Sequence, residues 1–312
     1  MVCSLLYVLS KLVFWQAEDF VGFLIERILL SAVIAGLSGV DVSILYLSCP
    51  KEQTQQVFGL YSGLQTAGLL AASLVYSRFL GDNYRAAAFL TILSYGAAML
   101  LSLFLVEVRS PERQPARHIP LMDGFRQLFS DRKLLLFLAA VALIQQTHQS
   151  VTVFFSQLQY QRCGMDAAAM GLAHILVTIA GLSAMLSPQV TKKVGERGTL
   201  HLCCALSAIA CLVLFRTRLS WLSVLAVMSF RVALSLLEPL QTQLQNRAVT
   251  AADRATALSI QTVVLDSAGA GISVMLGMIA EQDLSISFLT GGLLCAVSAL
   301  LLAVWDKNAL TH

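Results

Sequence analysis

The sequence predicts an all-α polytopic membrane protein, with about ten transmembrane helices in two bundles of four and six. Three observations predict it. First, 57% of the 312 residues are hydrophobic and only 12% are charged, about half the charged fraction of a soluble domain. Second, the apolar residues fall into runs of about 20, the length that crosses a bilayer core as helix. Third, one long polar stretch interrupts them, Val106 to Lys133, VEVRSPERQPARHIPLMDGFRQLFSDRK. It holds six basic residues and three of the six prolines, Pro111, Pro115 and Pro120. Such a composition marks a connector rather than a helix through lipid.

The elements follow from the apolar runs. The first helix is expected over about 1–16 and the second over about 18–47, a long run that carries Glu26, Arg27 and Asp41. The third spans about 55–78 after Cys49-Pro50-Lys51-Glu52, and the fourth about 86–107. After the connector come helices over about 134–159, 166–187, 199–215, 219–246, 255–280 and 284–305. The remaining links are short, as they must be where every backbone group at membrane depth bonds within its own helix. Residues 1–107 thus form a partial N-terminal bundle, 108–133 the connector and 134–312 a six-helix bundle.

Charge orients this layout. With the connector inside, the cytoplasmic segments hold thirteen basic residues and the opposite loops hold five, Arg78, Arg85, Arg162, Arg216 and Arg218. That asymmetry obeys the positive-inside rule. It places both termini in the cytoplasm and the chain in the plasma (inner) membrane. The net charge of +3 resides in short loops and does not point to nucleic acid. Seven cysteines lie scattered without a C-x-x-C pair, so they read as small packing residues rather than as a metal site or disulfide framework. No hydrolase triad, phosphate-cradling loop or zinc motif is present, so the chain does not read as an enzyme, and nothing calls for a cofactor.

Several motifs, taken with the helix count, carry a resemblance. Arg27-Ile-Leu-Leu-Ser31-Ala-Val-Ile-Ala35 is similar to an R-x-x-x-G-x-x-x-A pattern, with Ser31 in place of glycine. Cys49-Pro50-Lys51-Glu52 followed by Val57-Phe58-Gly59-Leu60, and Thr250-Ala-Ala-Asp253-Arg254, look like two short loops of the same family. Lys192-Lys193-Val194-Gly195-Glu196-Arg197 resembles a degraded glycine- and arginine-rich loop. Together with the connector, these resemble the third to twelfth helices of the major facilitator superfamily. That resemblance implies alternating-access transport and two further helices ahead of Met1, which itself opens directly into an apolar run. Gly63-Leu-Gln-Thr-Ala-Gly68 lacks the proline of the drug–proton antiporter pattern.

Polar residues inside apolar helices are the candidate site, because a charge at the bilayer centre costs at least about 2.5–3.5 kcal/mol and must face water or a partner. Arg27 and Asp41 are fourteen residues apart, about 21 Å along one helix face. Arg231 and Glu238 lie two turns apart on a stripe that continues to Gln245, with Gln241 nearby and Pro239 able to free a carbonyl. Gln145, Gln146, His148 and Gln149 interrupt the fifth helix, where Gln145, His148, Gln149 and Thr152 share a face. Amides and an imidazole suit a hydroxylated or zwitterionic ligand. The expected substrate-binding set is therefore Arg27, Gln145, Gln146, His148, Gln149, Arg231, Glu238 and Gln241. Asp41 and Asp266 are the candidates for proton coupling.

The expected function is secondary active transport of a small organic solute across a lipid bilayer. A ten-helix drug/metabolite-type carrier and a non-transporting truncated fragment are the alternatives. The orientation has a direct check, labelling of single-cysteine variants by an impermeant thiol reagent in intact cells. Cys163 should be labelled and a cysteine at position 117 protected; the reverse pattern would invert the topology.

Overall fold

The computed structural model describes residues 2–37, 39–75, 84–104, 121–249 and 254–309. Among the described residues every regular element is helical. The helices are α1 (Val2–Gln16), α2 (Phe20–Leu37), α3 (Val40–Ser48), α4 (Thr54–Val75), α5 (Tyr84–Ser102), α6 (Leu121–Ser130), α7 (Arg132–Gln149), α8 (Ser156–Arg162), α9 (Ala167–Ala180), α10 (Ser187–Val194), α11 (Glu196–Arg216), α12 (Ser220–Ala248), α13 (Arg254–Gln282) and α14 (Leu284–Ala309). A π-helical segment, Ser150–Phe155, joins α7 to α8, and a 3-10 segment, Gly181–Leu186, joins α9 to α10. Among the described residues nine stretches are long and apolar enough to cross a membrane. The fifteen-residue α1 is apolar but shorter than these.

The expected elements are present with three internal departures. The second helix does not run unbroken from 18 to 47. Gly39 adopts φ +74°, a left-handed conformation that a right-handed helix cannot absorb, so α2 stops at Leu37 and α3 starts at Val40. The fifth helix widens into the π segment, and the sixth tightens into the 3-10 segment. Such departures from α geometry often sit at functional sites. The proline-rich part of the connector, 105–120, lies outside the described residues, as does the loop 250–253. The connector's last ten residues before Asp131 form α6.

Two compact units are present. One takes the described residues of Met1–Ser48 and Ala71–Pro115. In it α1 packs on both α2 and α5. Tyr7 stacks on Tyr95 with ring centroids 4.0 Å apart, and Trp15 lies against Phe89.

The other unit takes Cys49–Leu70 and the described residues of Ala116–His312. There α14 packs on α7 and α11, α11 also meets α12, and α7 meets α13. The α11–α14 seam is built from small side chains. Cys203, Cys204, Ser207, Ala210 and Cys211 on α11 and Cys295 and Ser298 on α14 are all buried. Ser298 donates from its hydroxyl to the Ala140 carbonyl at 2.8 Å. Short side chains bring backbones close where hydrocarbon outside offers no hydrophobic drive for helix pairing. Large apolar side chains such as Leu293, Leu300 and Val274 point outward, as a lipid-facing surface requires.

Two helix starts are fixed by acidic caps. Asp131 Oδ1 accepts the Leu134 N–H at 3.0 Å to open α7, and Asp166 Oδ1 accepts the Ala169 N–H at 2.7 Å to open α9. In the turn before α14, Asp283 accepts the Ser285 N–H at 2.7 Å, and that bond holds its carboxyl below the ordinary carboxylate range.

Within this second unit the first turns of α4 meet the 3-10 segment and α10. Gln55 donates from Nε2 to Ser187 Oγ at 2.9 Å and to Thr191 Oγ1 at 2.7 Å. A methyl group added at Gly59 would lie 2.7 Å from the Ala184 carbonyl oxygen, a backbone atom with little room to retreat. Gly59→Ala should therefore force the two segments apart and cost roughly 1–3 kcal/mol, the usual penalty of overpacking. Gly68→Ala, where an added methyl meets nothing within 4 Å, should leave the melting temperature unchanged or raise it, since alanine favours helix. Equal melting temperatures for the two variants in detergent would show that this contact is not close.

Candidate functional site

α12 is the backbone of the polar cluster. It is long enough to span a bilayer, and it carries Arg231, Glu238 two turns on and Gln241 one turn further. The Arg231 guanidinium lies over the 3-10 segment: a methyl added at Gly181 would sit 2.9 Å from both Nε and Nη2, and 3.2 Å from Thr66 Cγ2. The absent side chain at Gly181 is what lets the guanidinium rest there. Arg231 is half-buried. Among the described residues no carboxylate, Glu238 and Asp266 included, lies within ion-pair distance of it.

α7 supplies the second wall. His148 is 4% exposed and stacks on Phe230 of α12, with ring centroids 5.6 Å apart and planes 16° from parallel. Its Nε2 has no hydrogen-bond partner. Gln145 donates from Nε2 to Gln241 Oε1 at 3.0 Å, and Gln241 in turn donates to Gln245 Oε1 at 3.4 Å. Gln146 lies across α13: Ser273 donates to its Oε1 at 3.1 Å, and a methyl at Gly269 would collide with its amide at 2.2 Å. Pro239 removes the N–H that the Ser235 carbonyl would otherwise bond. One residue on, the Leu236 carbonyl accepts a hydrogen bond from Ser187 Oγ at 2.6 Å.

Of the residues expected from the sequence, Gln145, Gln146, His148, Arg231, Glu238 and Gln241 are thus carried on three mutually packed helices. Gln149 is not among them. It is exposed at the last residue of α7, and only Thr152 of the expected four-residue face lies in the π segment. Asp266 is also exposed, on a turn of α13 rich in small residues. Asp41 is exposed in the first turn of α3, and the break at Gly39 means that it and Arg27 do not share one straight helix face.

The first unit holds a cluster that sequence reasoning missed. Glu26, 1% exposed, accepts from Lys11 Nζ at 2.7 Å, with Arg27 Nε 3.5 Å from its other oxygen. Arg27 itself is 71% exposed. Lys11 Nζ also stands 5.6 Å from the ring centroids of Tyr7 and Phe14, a cation–π distance, and Tyr7 donates to the Tyr95 hydroxyl at 3.0 Å. The sequence favoured Arg27 because it begins a motif. Lys11 and Glu26 lie fifteen residues apart on different helices, so only the packing of α1 on α2 reveals their pairing. Gly181, Gly269 and Ser273 were equally unmarked, since a glycine or serine in an apolar run looks like ordinary helix packing.

Comparison with known proteins places this arrangement. The Major Facilitator Superfamily model matches residues 1–274. A class H tetracycline resistance protein of Pasteurella multocida is 25% identical over 204 residues, covering 58% of this chain and 48% of that protein. The match thus spans about half the length of that curated relative. Among solved structures, the human organic anion transporter MFSD10 superposes with a TM-score of 0.78 at 14% identity, over 96% of this chain and 75% of that one. The Escherichia coli fucose:proton symporter FucP gives 0.75 at 12% identity, over 97% and 82%. A bacterial homologue of the iron transporter ferroportin, in an outward-facing state, gives 0.73 at 15% identity, over 98% and 82%. At these identities the structures show a shared fold, and the family match extends that to descent: the chain belongs to the Major Facilitator Superfamily.

Proposed function

We propose that this protein is a secondary active transporter that moves a small organic solute across the membrane by alternating access. Its two bundles would be residues 1–107 and 134–312, joined by a cytoplasmic connector over 108–133. The carrying observation is Arg231, seated on Gly181 in a helix long and apolar enough to span a membrane, with no counter-ion within 4 Å among the described residues. An unpaired cation at that depth is costly unless it faces water or an anionic ligand group. His148 Nε2, buried and without a partner among the described residues, adds a second polar atom whose desolvation is costly.

In this reading Arg231, His148, Glu238 and the amides Gln145, Gln146 and Gln241 bind the solute. The guanidinium takes an oxyanion or carbonyl, and the amides take hydroxyl or amine groups. Arg27 and Gln149 would stand at the margins of the pathway. Asp41 and Asp266, both exposed carboxylates, are the proposed proton carriers. The relatives support transport as the activity class; one is described as a proton symporter, one as an organic anion transporter and one as a tetracycline resistance protein.

Proteoliposomes holding the 312-residue chain and an imposed proton gradient test this reading, with tetracycline, fucose and an aromatic carboxylate as probes. Accumulation of none of them, with or without the gradient, in protein that still melts cooperatively would sink it. For whichever probe moves, Arg231→Ala, His148→Ala, Gln146→Ala and Glu238→Ala should each lower transport at least tenfold, about 1.4 kcal/mol. Their melting temperatures should fall by no more than a few degrees, the shift expected of about 1 kcal/mol. If lost transport simply tracks lost folded protein in all four, these groups are structural. Gly181→Ala should raise the half-saturating concentration severalfold with little effect on folding, because the methyl chiefly displaces the flexible end of Arg231 and asks Thr66 to give by a few tenths of an ångström. An unchanged value would show that the guanidinium seat does not matter to the solute.

A further inference from the structure

α6 lies outside the membrane-spanning stretches, yet it ends two residues before one of them: Ser130 closes it, Asp131 caps the next helix, and α7 begins at Arg132. A ten-residue helix is about 15 Å long, so the whole of α6 stays close to the end of a bilayer-crossing helix. Its inner face is fixed to the second unit, with Leu128 buried in the core and Phe125 packed against it. Its outer face carries an apolar edge beside the polar residues Asp123, Gln127 and Ser130. Met122 is 78% exposed and Phe129 58% exposed, two turns apart on one stripe, with exposed Arg126 between them. Met122, Asp123, Phe125, Arg126 and Phe129 line a shallow hollow on this face. Arg132, exposed, and Lys133, half-buried, follow at once. Three cations, Arg126, Arg132 and Lys133, outnumber the two acids of the segment, exposed Asp123 on the hollow and Asp131 at the cap of α7.

We propose that this face is a binding surface for anionic phospholipid. α6 lies in the plane of the bilayer at headgroup depth. Met122, Phe125 and Phe129 take the upper carbons of acyl chains into the hollow, and Arg126, Arg132 and Lys133 engage lipid phosphates. An apolar stripe flanked by cations is what an in-plane helix at the interface requires. Each cation near an anionic leaflet contributes roughly a fivefold gain in affinity, which selects phosphatidylglycerol over the zwitterionic phosphatidylcholine. The inference is independent of which solute is carried, and of whether any is.

The test uses the full chain in nanodiscs of phosphatidylcholine, with or without phosphatidylglycerol. An environment-sensitive dye is attached to Phe129→Cys, in a chain whose Cys3, Cys49 and Cys163 are replaced by serine. Nitroxide-bearing lipid should quench the dye, and aqueous iodide should leave it largely untouched. Dominant quenching by iodide would overturn the in-plane placement. In parallel, lipid co-purifying from mixed bilayers is measured by mass spectrometry. The triple variant Arg126→Gln, Arg132→Gln and Lys133→Gln should lower the ratio of bound phosphatidylglycerol to phosphatidylcholine at least fivefold, with an unchanged melting curve. A ratio equal to that of the parent chain would overturn the anionic assignment.

Discussion

The structure rests on one constraint: polar groups inside hydrocarbon have no water to bond. Every backbone N–H and carbonyl at that depth must close within its own helix, which is why the described chain is helical throughout. The same constraint governs side chains. Hydroxyls in the spans bond back onto the carbonyl one turn earlier, as Thr147 does to Leu143, Ser156 to Thr152 and Thr178 to His174. Others reach a neighbouring helix, as Ser298 reaches Ala140 and Gln159 reaches the Thr217 carbonyl. A few buried polar atoms, His148 Nε2 among them, are left without a partner among the described residues after these closures.

The irregular segments and the polar cluster occur together. The π segment begins two residues after His148, the 3-10 segment begins at the glycine beneath Arg231, and Pro239 directly follows Glu238. Each departure frees or redirects backbone groups and so re-aims the side chains beside it. Glycine serves the same end from the opposite side. Gly181 and Gly269 are the floors on which Arg231 and Gln146 lie, and any Cβ there would occupy their space. The long charged and amide side chains are thereby held by shape as much as by hydrogen bonds.

The first unit meets the same constraint with an ion pair. Glu26 is nearly inaccessible, and Lys11 approaches it at hydrogen-bonding distance. Pairing of this kind offsets part of the desolvation cost of both groups, and removal of either partner would strand a buried charge. Two cations share the one carboxylate, because Arg27 stands near its second oxygen. The cluster therefore keeps a net positive character that the flanking tyrosine and phenylalanine rings temper through their π faces.

Composition and spacing determined the class of this protein. Apolar runs of about 20 residues, a basic connector and short loops point to a helical membrane fold, because that is the length at which a helix crosses the hydrocarbon core. The helix ends were legible to a few residues, and the cluster on α7 and α12 stood out because amides and charges are rare in such runs. Tertiary structure alone decided what those residues touch. The left-handed Gly39 that separates Arg27 from Asp41, the π turn that takes Thr152 out of the α7 register, and the pairing of Lys11 with Glu26 are invisible in a periodic pattern. Helical periodicity reports which residues share a face of one helix. It carries no information about which other helix that face meets, or where packing makes it cheaper for the helix to break its own period than to leave a polar group unpaired.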